Sequence, residues 1–279
     1  MLDQDLYSPN FYQSFRNGSS SSARKIVPRV LRYVPCKSIV DVGCGIGTWL
    51  RVFEEQGVTD CLGIDGDYVD RDLMEISPRQ FRAFDLRFPV RLERRFDLVV
   101  SLEVAEHLPA SAADVFIDTL TSLGDVVLFS AAIPFQRGTN HINEQWPQYW
   151  AQKFAARGYV AVDCVRRFVW EDKDVEPWYA QNTLLYVKET RLADYPPLVE
   201  FRATTQDENC LAMVHPRLYL MVGQQAQQAG SVQDKLERIP VKKILTALPT
   251  RFLHAVTRRM KNVTDLPTSA ERKIPLTDS

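Results

Sequence analysis

The sequence predicts an α/β fold: a doubly wound, seven-stranded and mostly parallel sheet, followed by a helical C-terminal extension. Three observations carry this. Short β-branched and apolar runs alternate with segments of helical periodicity from Ser38 to about Val187. The first run, Ser38-Ile39-Val40-Asp41-Val42, passes into Gly43-Cys44-Gly45-Ile46-Gly47, and a helical pattern stands directly behind it. Two acids, Asp65 and Asp85, close the second and third runs, at the edge where open α/β sheets bind ligands.

In chain order, residues 1–22 are polar and aromatic and end in Gly18-Ser19-Ser20-Ser21-Ser22. One reading is a disordered leader with a flexible linker. The favoured one is a docked lid, with Tyr7, Phe11, Tyr12 and Phe15 closing over a ligand, since an aromatic segment seldom floats free. Ala23, Ile26, Val27, Val30, Leu31 and Val34 then follow helical spacing; Pro28 implies a kink or a late start. Thr48 is read as the N-cap of a helix carrying Trp49, Leu50 and Phe53, with Gly57 as its C-terminal stop.

Four more strands are expected at Cys61–Gly66, Phe81–Leu86, Phe96–Leu102 and Asp125–Ser130. Ser111 and Asp114 suggest a capping box for a helix with Val115, Phe116, Leu120 and Leu123. Pro147 suits the first turn of a helix with Trp150 and Phe154 inward and Gly158 at its end. Tyr159–Val165 and Thr183–Val187 supply the last two strands. Pro196-Pro197 marks a boundary, and His215-Pro216 opens a further helical stretch. Within residues 240–262, Lys242, Lys243, Arg251, Arg258 and Arg259 interleave with apolar residues, broken by Pro249. This segment reads as a solvated helix or as a peripheral contact with an anionic membrane surface. The chain thus divides into a lid or leader (1–22), an α/β domain (23–190) and a helical, partly basic extension (191–279).

Composition narrows the function. A chain of 279 residues with 45% hydrophobic residues has the make-up of a globular protein. The net charge of −1 gives no case for nucleic acid as partner. No apolar run reaches the roughly 20 residues of a membrane span. Residues 1–15 lack a signal peptide's charged start and apolar centre. Cys36, Cys44, Cys61, Cys164 and Cys210 are scattered and form no Cys-x-x-Cys, which suggests reduced thiols and a cytoplasmic location.

The pattern Asp-x-Gly-x-Gly-x-Gly from Asp41 departs from the Gly-x-Gly-x-x-Gly of dinucleotide folds. It resembles the first motif of the class I S-adenosylmethionine (SAM) dependent methyltransferases. Phe96-Asp97-Leu98-Val99-Val100-Ser101-Leu102-Glu103-Val104-Ala105-Glu106-His107-Leu108 is similar to that family's fourth-strand motif. The resemblance runs from Ile39 to about Val187 and implies the Rossmann-like fold, SAM as cofactor and methyl transfer. Under it Gly43, Cys44, Gly45, Gly47 and Gly66 line the cradle, and Asp65 accepts the ribose hydroxyls. Asp85, with the N–H of Leu86, meets the adenine edge. Asp41 braces the glycine turn or meets the ligand's amino group. Ser101, Leu102 and Glu103 line the floor near the sulfonium. The plain alternative for each acid is a helix cap or a surface charge.

Glu103, Glu106 and His107 stand at i, i+3 and i+4, and His141 follows the fifth strand in Gly138-Thr139-Asn140-His141-Ile142-Asn143-Glu144-Gln145-Trp146. His107 or His141 is a candidate general base, with Glu106 beside them. Alternatively Glu103, Glu106, His107 and His141 hold a divalent cation, Mg or Mn, that lowers the acceptor's pKa. That set resembles the metal site of small-RNA 2′-O-methyltransferases, and ubiquinone-pathway O-methyltransferases have a similar Glu-x-x-Glu-His. A third reading makes His107 a brace. No Asn/Asp-Pro-Pro-Tyr follows the fourth strand, so the amino-methylating signature is missing. Trp146, Tyr149, Trp150, Trp170, Trp178 and Tyr179 are candidates to stack on a sugar or ring, with Trp150 preferred as core. The leading expectation is O-methylation of a small molecule or glycan precursor. Its rivals are RNA 2′-O-methylation, which needs a basic stripe, and a non-catalytic SAM-binding module tethered to a membrane complex.

Overall fold

The structure is a computed structural model that describes residues 9–204 and 211–237. Tyr7, Cys210 and the basic segment 240–262 lie outside the described residues, as do the side chains of Phe11, Tyr12 and Phe15. The chain splits into two units, Met1–Val222 and Gly223–Ser279; the described part of the second is helical. No helix among the described residues is long and apolar enough to cross a membrane.

Seven strands form one sheet: β1 (Ser38–Val42), β2 (Asp60–Asp65), β3 (Phe81–Ala83), β4 (Leu98–Leu102), β5 (Val126–Ser130), β6 (Tyr159–Val162) and β7 (Leu184–Lys188). Their spatial order is β3-β2-β1-β4-β5-β7-β6. The first five are parallel, and β7 runs antiparallel to both β5 and β6. The helices are α1 (Pro9–Tyr33), α2 (Thr48–Glu55), α3 (Ala113–Leu123), α4 (Pro147–Ala155), α5 (Arg166–Val169), α6 (Pro177–Asn182), α7 (Pro196–Thr204) and α8 (Pro216–Glu237). The chain winds outward from β1 to β3, then returns to place β4 on the other side of β1. That reversal opens a crevice past the C-terminal ends of β1 and β4.

Period-two side-chain alternation builds a core on each face of the sheet. Ile39, Leu98, Val100, Leu128 and Leu185 pack with Ile26, Val30, Leu50 and Phe53 of α1 and α2. Val40, Val42, Val99, Val127 and Tyr186 pack with Phe116, Leu120, Trp150 and Phe154 of α3 and α4. Trp150 is core, as expected.

Several local expectations differ from the structure. The Gly18–Ser22 run is no linker: α1 passes through it and through residue 22 without a break, with Pro28 inside the helix. Its hydroxyls are bonded one by one. Ser20 Oγ accepts from Arg51 Nη2 (2.8 Å), Ser21 donates to the Asp174 carbonyl (2.6 Å), and Ser22 accepts from the Glu176 N–H (3.0 Å). Thr48 is the first helical residue of α2 rather than its cap; Gly47, at φ 88°, holds the cap position without a side-chain bond. No capping box forms at Ser111, because a 3-10 turn over Ala110–Ala112 leads straight into α3. Asp114 instead pairs with Lys153 and Arg157. The third strand stops at Ala83, short of Asp85.

Candidate active site

The glycine loop leaves β1 as a sharp turn whose three glycines all take positive φ: Gly43 at 90°, Gly45 at 52° and Gly47 at 88°. Two of them are also confined by neighbours. A Cβ on Gly43 would stand 2.3 Å from Val104 Cγ2, and one on Gly47 would stand 2.7 Å from Ile76 Cγ1. The Val104 contact brings the segment after β4 directly against the loop.

Asp65 closes β2 beside this turn. Its Oδ2 accepts the Gly45 N–H (2.7 Å), and its Oδ1 accepts the Gly66 N–H and the Tyr68 hydroxyl (both 2.6 Å). Burial raises the Asp65 carboxyl despite these donors. A carboxylate offers about four lone-pair sites, so Oδ2 keeps one for a further donor. Asp41 is buried next to it, and burial first, then the Asp65 charge, push its carboxyl well above the usual range. The Cys44 thiol is likewise raised by burial, which makes it an inert wall of the cradle.

Asp85 flanks the same edge, one residue past Phe84, whose N–H reaches the Asp65 carbonyl (2.7 Å). Its carboxylate is taken up by Arg87, which lowers its pKa, and Leu86 is buried in the core. Ser101 and Leu102 are buried at the end of β4; the Ser101 hydroxyl finds no partner among the described residues.

Beyond β4 the expected four-residue cluster divides. Glu103 sits at φ 55°, with its N–H on the Ser130 carbonyl (3.0 Å). Its carboxylate accepts from Gln136 Nε2 (2.9 Å) and Asn182 Nδ2 (3.1 Å). It is therefore held by amides and stays outside the three-residue ligand group, although its carboxyl lies against that of Glu106. Glu106, His107 and His141 do converge, each with one ligand atom within 4.8 Å of the others. The backbone fixes this meeting: the N–H groups of Ile142 and Asn143 both bond the Glu106 carbonyl (2.9 and 3.0 Å). The two imidazoles meet edge to face at 4.9 Å.

Glu106 is fully buried, with the Glu103 carboxyl and the Ala132 backbone beside its own carboxyl. Burial, and then the Glu103 charge, push its carboxyl well above the usual range. Burial and the neighbouring His141 lower His107 to about 4, so its imidazole is neutral near pH 7. One buried carboxyl with two imidazoles is a donor set that fits a divalent cation.

Sequence reasoning missed Tyr68, Gln136 and Asn182. No spacing marks them, because each enters the site only by tertiary contact. Of the aromatics, Tyr179 is buried edge-on against Trp49 (5.1 Å), burial raises its hydroxyl to about 12, and Trp170 packs on His215 (4.6 Å). Trp146 is exposed.

Residues 12–162 match a family model described as a methyltransferase domain. Solved structures with a similar fold include DesVI of Streptomyces venezuelae, at 16% identity, covering 67% of this chain and 99% of that one with a TM-score of 0.48. Human N-acetylserotonin methyltransferase, solved in complex with SAM, is 14% identical over 64% of this chain and 55% of that one, with a TM-score of 0.46. An O-methyltransferase family protein from Burkholderia thailandensis is 13% identical over 66% and 61%, with a TM-score of 0.47. No curated protein matches. The family model covers more than half of the chain and spans the glycine loop, Asp65 and the Glu106-His107 segment. On that match the chain belongs to the methyltransferase domain family, as a class I SAM-dependent methyltransferase.

Proposed function

We propose that this enzyme methylates a hydroxyl of a small molecule or glycan precursor, with Glu106, His107 and His141 managing the hydroxyl proton. The observation that carries this is the convergence of those three side chains next to the segment that packs on the glycine loop. SAM supplies an electrophilic methyl group on a sulfonium and departs as S-adenosylhomocysteine. The acceptor oxygen forms the new C–O bond as the C–S bond breaks onto sulfur, and the hydroxyl proton leaves to a base. The glycine loop and Asp65 hold the donor and so fix the direction of attack. His141, or His107, whose imidazole is neutral near pH 7, takes the proton.

The meeting of one buried carboxyl with two imidazoles favours a second version, in which Glu106, His107 and His141 hold a divalent cation. Such a cation would lower the acceptor's pKa. Two imidazoles beside one carboxylate suit a first-row transition ion better than Mg. Glu103, engaged by Gln136 and Asn182, is left to shape the floor.

Methyl-labelled SAM, sugar nucleotides and phenols, assayed with and without chelator, test both versions. His141→Gln and Glu106→Gln are expected to lower kcat by about 10²–10⁴-fold. Full transfer in either variant overturns the site. Turnover unaffected by chelator removes the cation version.

A further inference from the structure

We propose that Glu144 is the positioning residue of this site: its carboxylate holds His141 with the proton on Nδ1, leaving the Nε2 lone pair free to work. The inference rests on the role given to His141 above.

Three donors converge on this one side chain. Glu144 Oε1 lies 3.0 Å from His141 Nδ1 and accepts the Arg137 N–H at 2.8 Å. Its Oε2 accepts the Phe135 N–H at 2.7 Å. An ionised carboxylate only accepts, so the proton in the His141 contact belongs to Nδ1. A neutral imidazole carries one proton, so Nε2 is then a bare acceptor, the form required of either a base or a ligand.

The backbone around this contact is arranged to keep it. Phe135 at φ 67°, Arg137 at 61° and Asn140 at 58° are non-glycine residues in the left-handed region. Such strain persists only where surrounding bonds over-determine it. Two of the three strained residues give their N–H to Glu144. At Gly138 a Cβ would stand 2.2 Å from His141 Nε2, so only glycine lets the loop backbone pass this close to the ring. The loop thus ties one ring nitrogen to Glu144 and packs against the ring at its other end.

The test uses the full chain with ring-15N histidine, in chelator so that no cation intervenes. The sequence has four histidines, and His141→Gln identifies the relevant signals. In the wild type, long-range 1H–15N spectra are expected to show His141 protonated at Nδ1 and bare at Nε2. Glu144→Gln is expected to lose that preference and to lower kcat by about 10–100-fold, with SAM affinity unchanged. Gly138→Ala, which displaces the ring, is expected to lose turnover.

A wild-type His141 protonated at Nε2 overturns the proposal outright. So does a Glu144→Gln chain that keeps both the tautomer and kcat while His141→Gln loses transfer. Full transfer in His141→Gln instead overturns the proposed role of His141, and the two failures are told apart by that variant. Should Glu144→Gln not fold, seen as lost SAM binding, the wild-type tautomer decides.

Discussion

Asp41 and Asp65 lie side by side in the crevice, and Asp65 is ringed by donors: two backbone N–H groups and a tyrosine hydroxyl. Asp41 meets burial and a like charge, and both raise its carboxyl. An acid whose pKa is raised on folding holds its proton more tightly in the native chain. Its contribution is therefore present below the unfolded value of about 4 and is lost as pH rises toward the folded pKa. Asp41→Asn cannot ionise, so it is expected to be more stable than the wild type at pH 8, by on the order of 1 kcal/mol. The difference should vanish toward pH 4. Urea unfolding at the two pH values checks this; a variant less stable at pH 8 than the wild type contradicts it.

At the level of elements, side-chain alternation made the sheet legible, while the joints between elements were not. The buried alternation of Ile39-Val40 and of Leu98-Val99 is a local pattern, and it survives into the fold unchanged. The serine run looks like a linker because composition alone reports solvation; its hydroxyls find partners only when α2 and the Asp174–Glu176 segment come alongside. Thr48 and Ser111 are good cap residues by type, but a left-handed glycine and a 3-10 turn already set the backbone there. Packing of α4 on the sheet is sharper than its sequence suggests. Phe154, fully buried, stacks on Tyr186 at 3.9 Å and meets Phe129 edge-on at 5.4 Å. Phe154→Ala is expected to cost about 3–5 kcal/mol of stability in urea. A loss below about 1 kcal/mol, the size of an Ile→Val change, would show that α4 does not pack this way.

For the whole molecule, the glycine-loop side of the crevice is legible in the sequence and the side beyond β4 and β5 only in outline. A glycine cradle needs residues close in sequence, with an acid at the next strand end, so Gly43, Gly45, Gly47 and Asp65 announce themselves. The other side is assembled from the segments after β4 and β5 and from α6, where Glu103 meets Gln136 and Asn182 and Glu144 meets His141. No local spacing records such a meeting, so the sequence places Glu103 with Glu106 and the histidines and gives no sign of the amides that also hold it. The strand order around β1 ties the halves together, because it sets the cradle and the histidine pair on one crevice.

Calorimetric titration of SAM into the full chain and into Asp65→Ala tests that arrangement most directly. Hydrogen bonds to a charged group contribute about 1.5–3 kcal/mol, so the variant is expected to bind roughly 10–100-fold more weakly than the wild type. Equal affinity in the two chains, or no heat from the wild type, would contradict a donor site built on the glycine loop and Asp65.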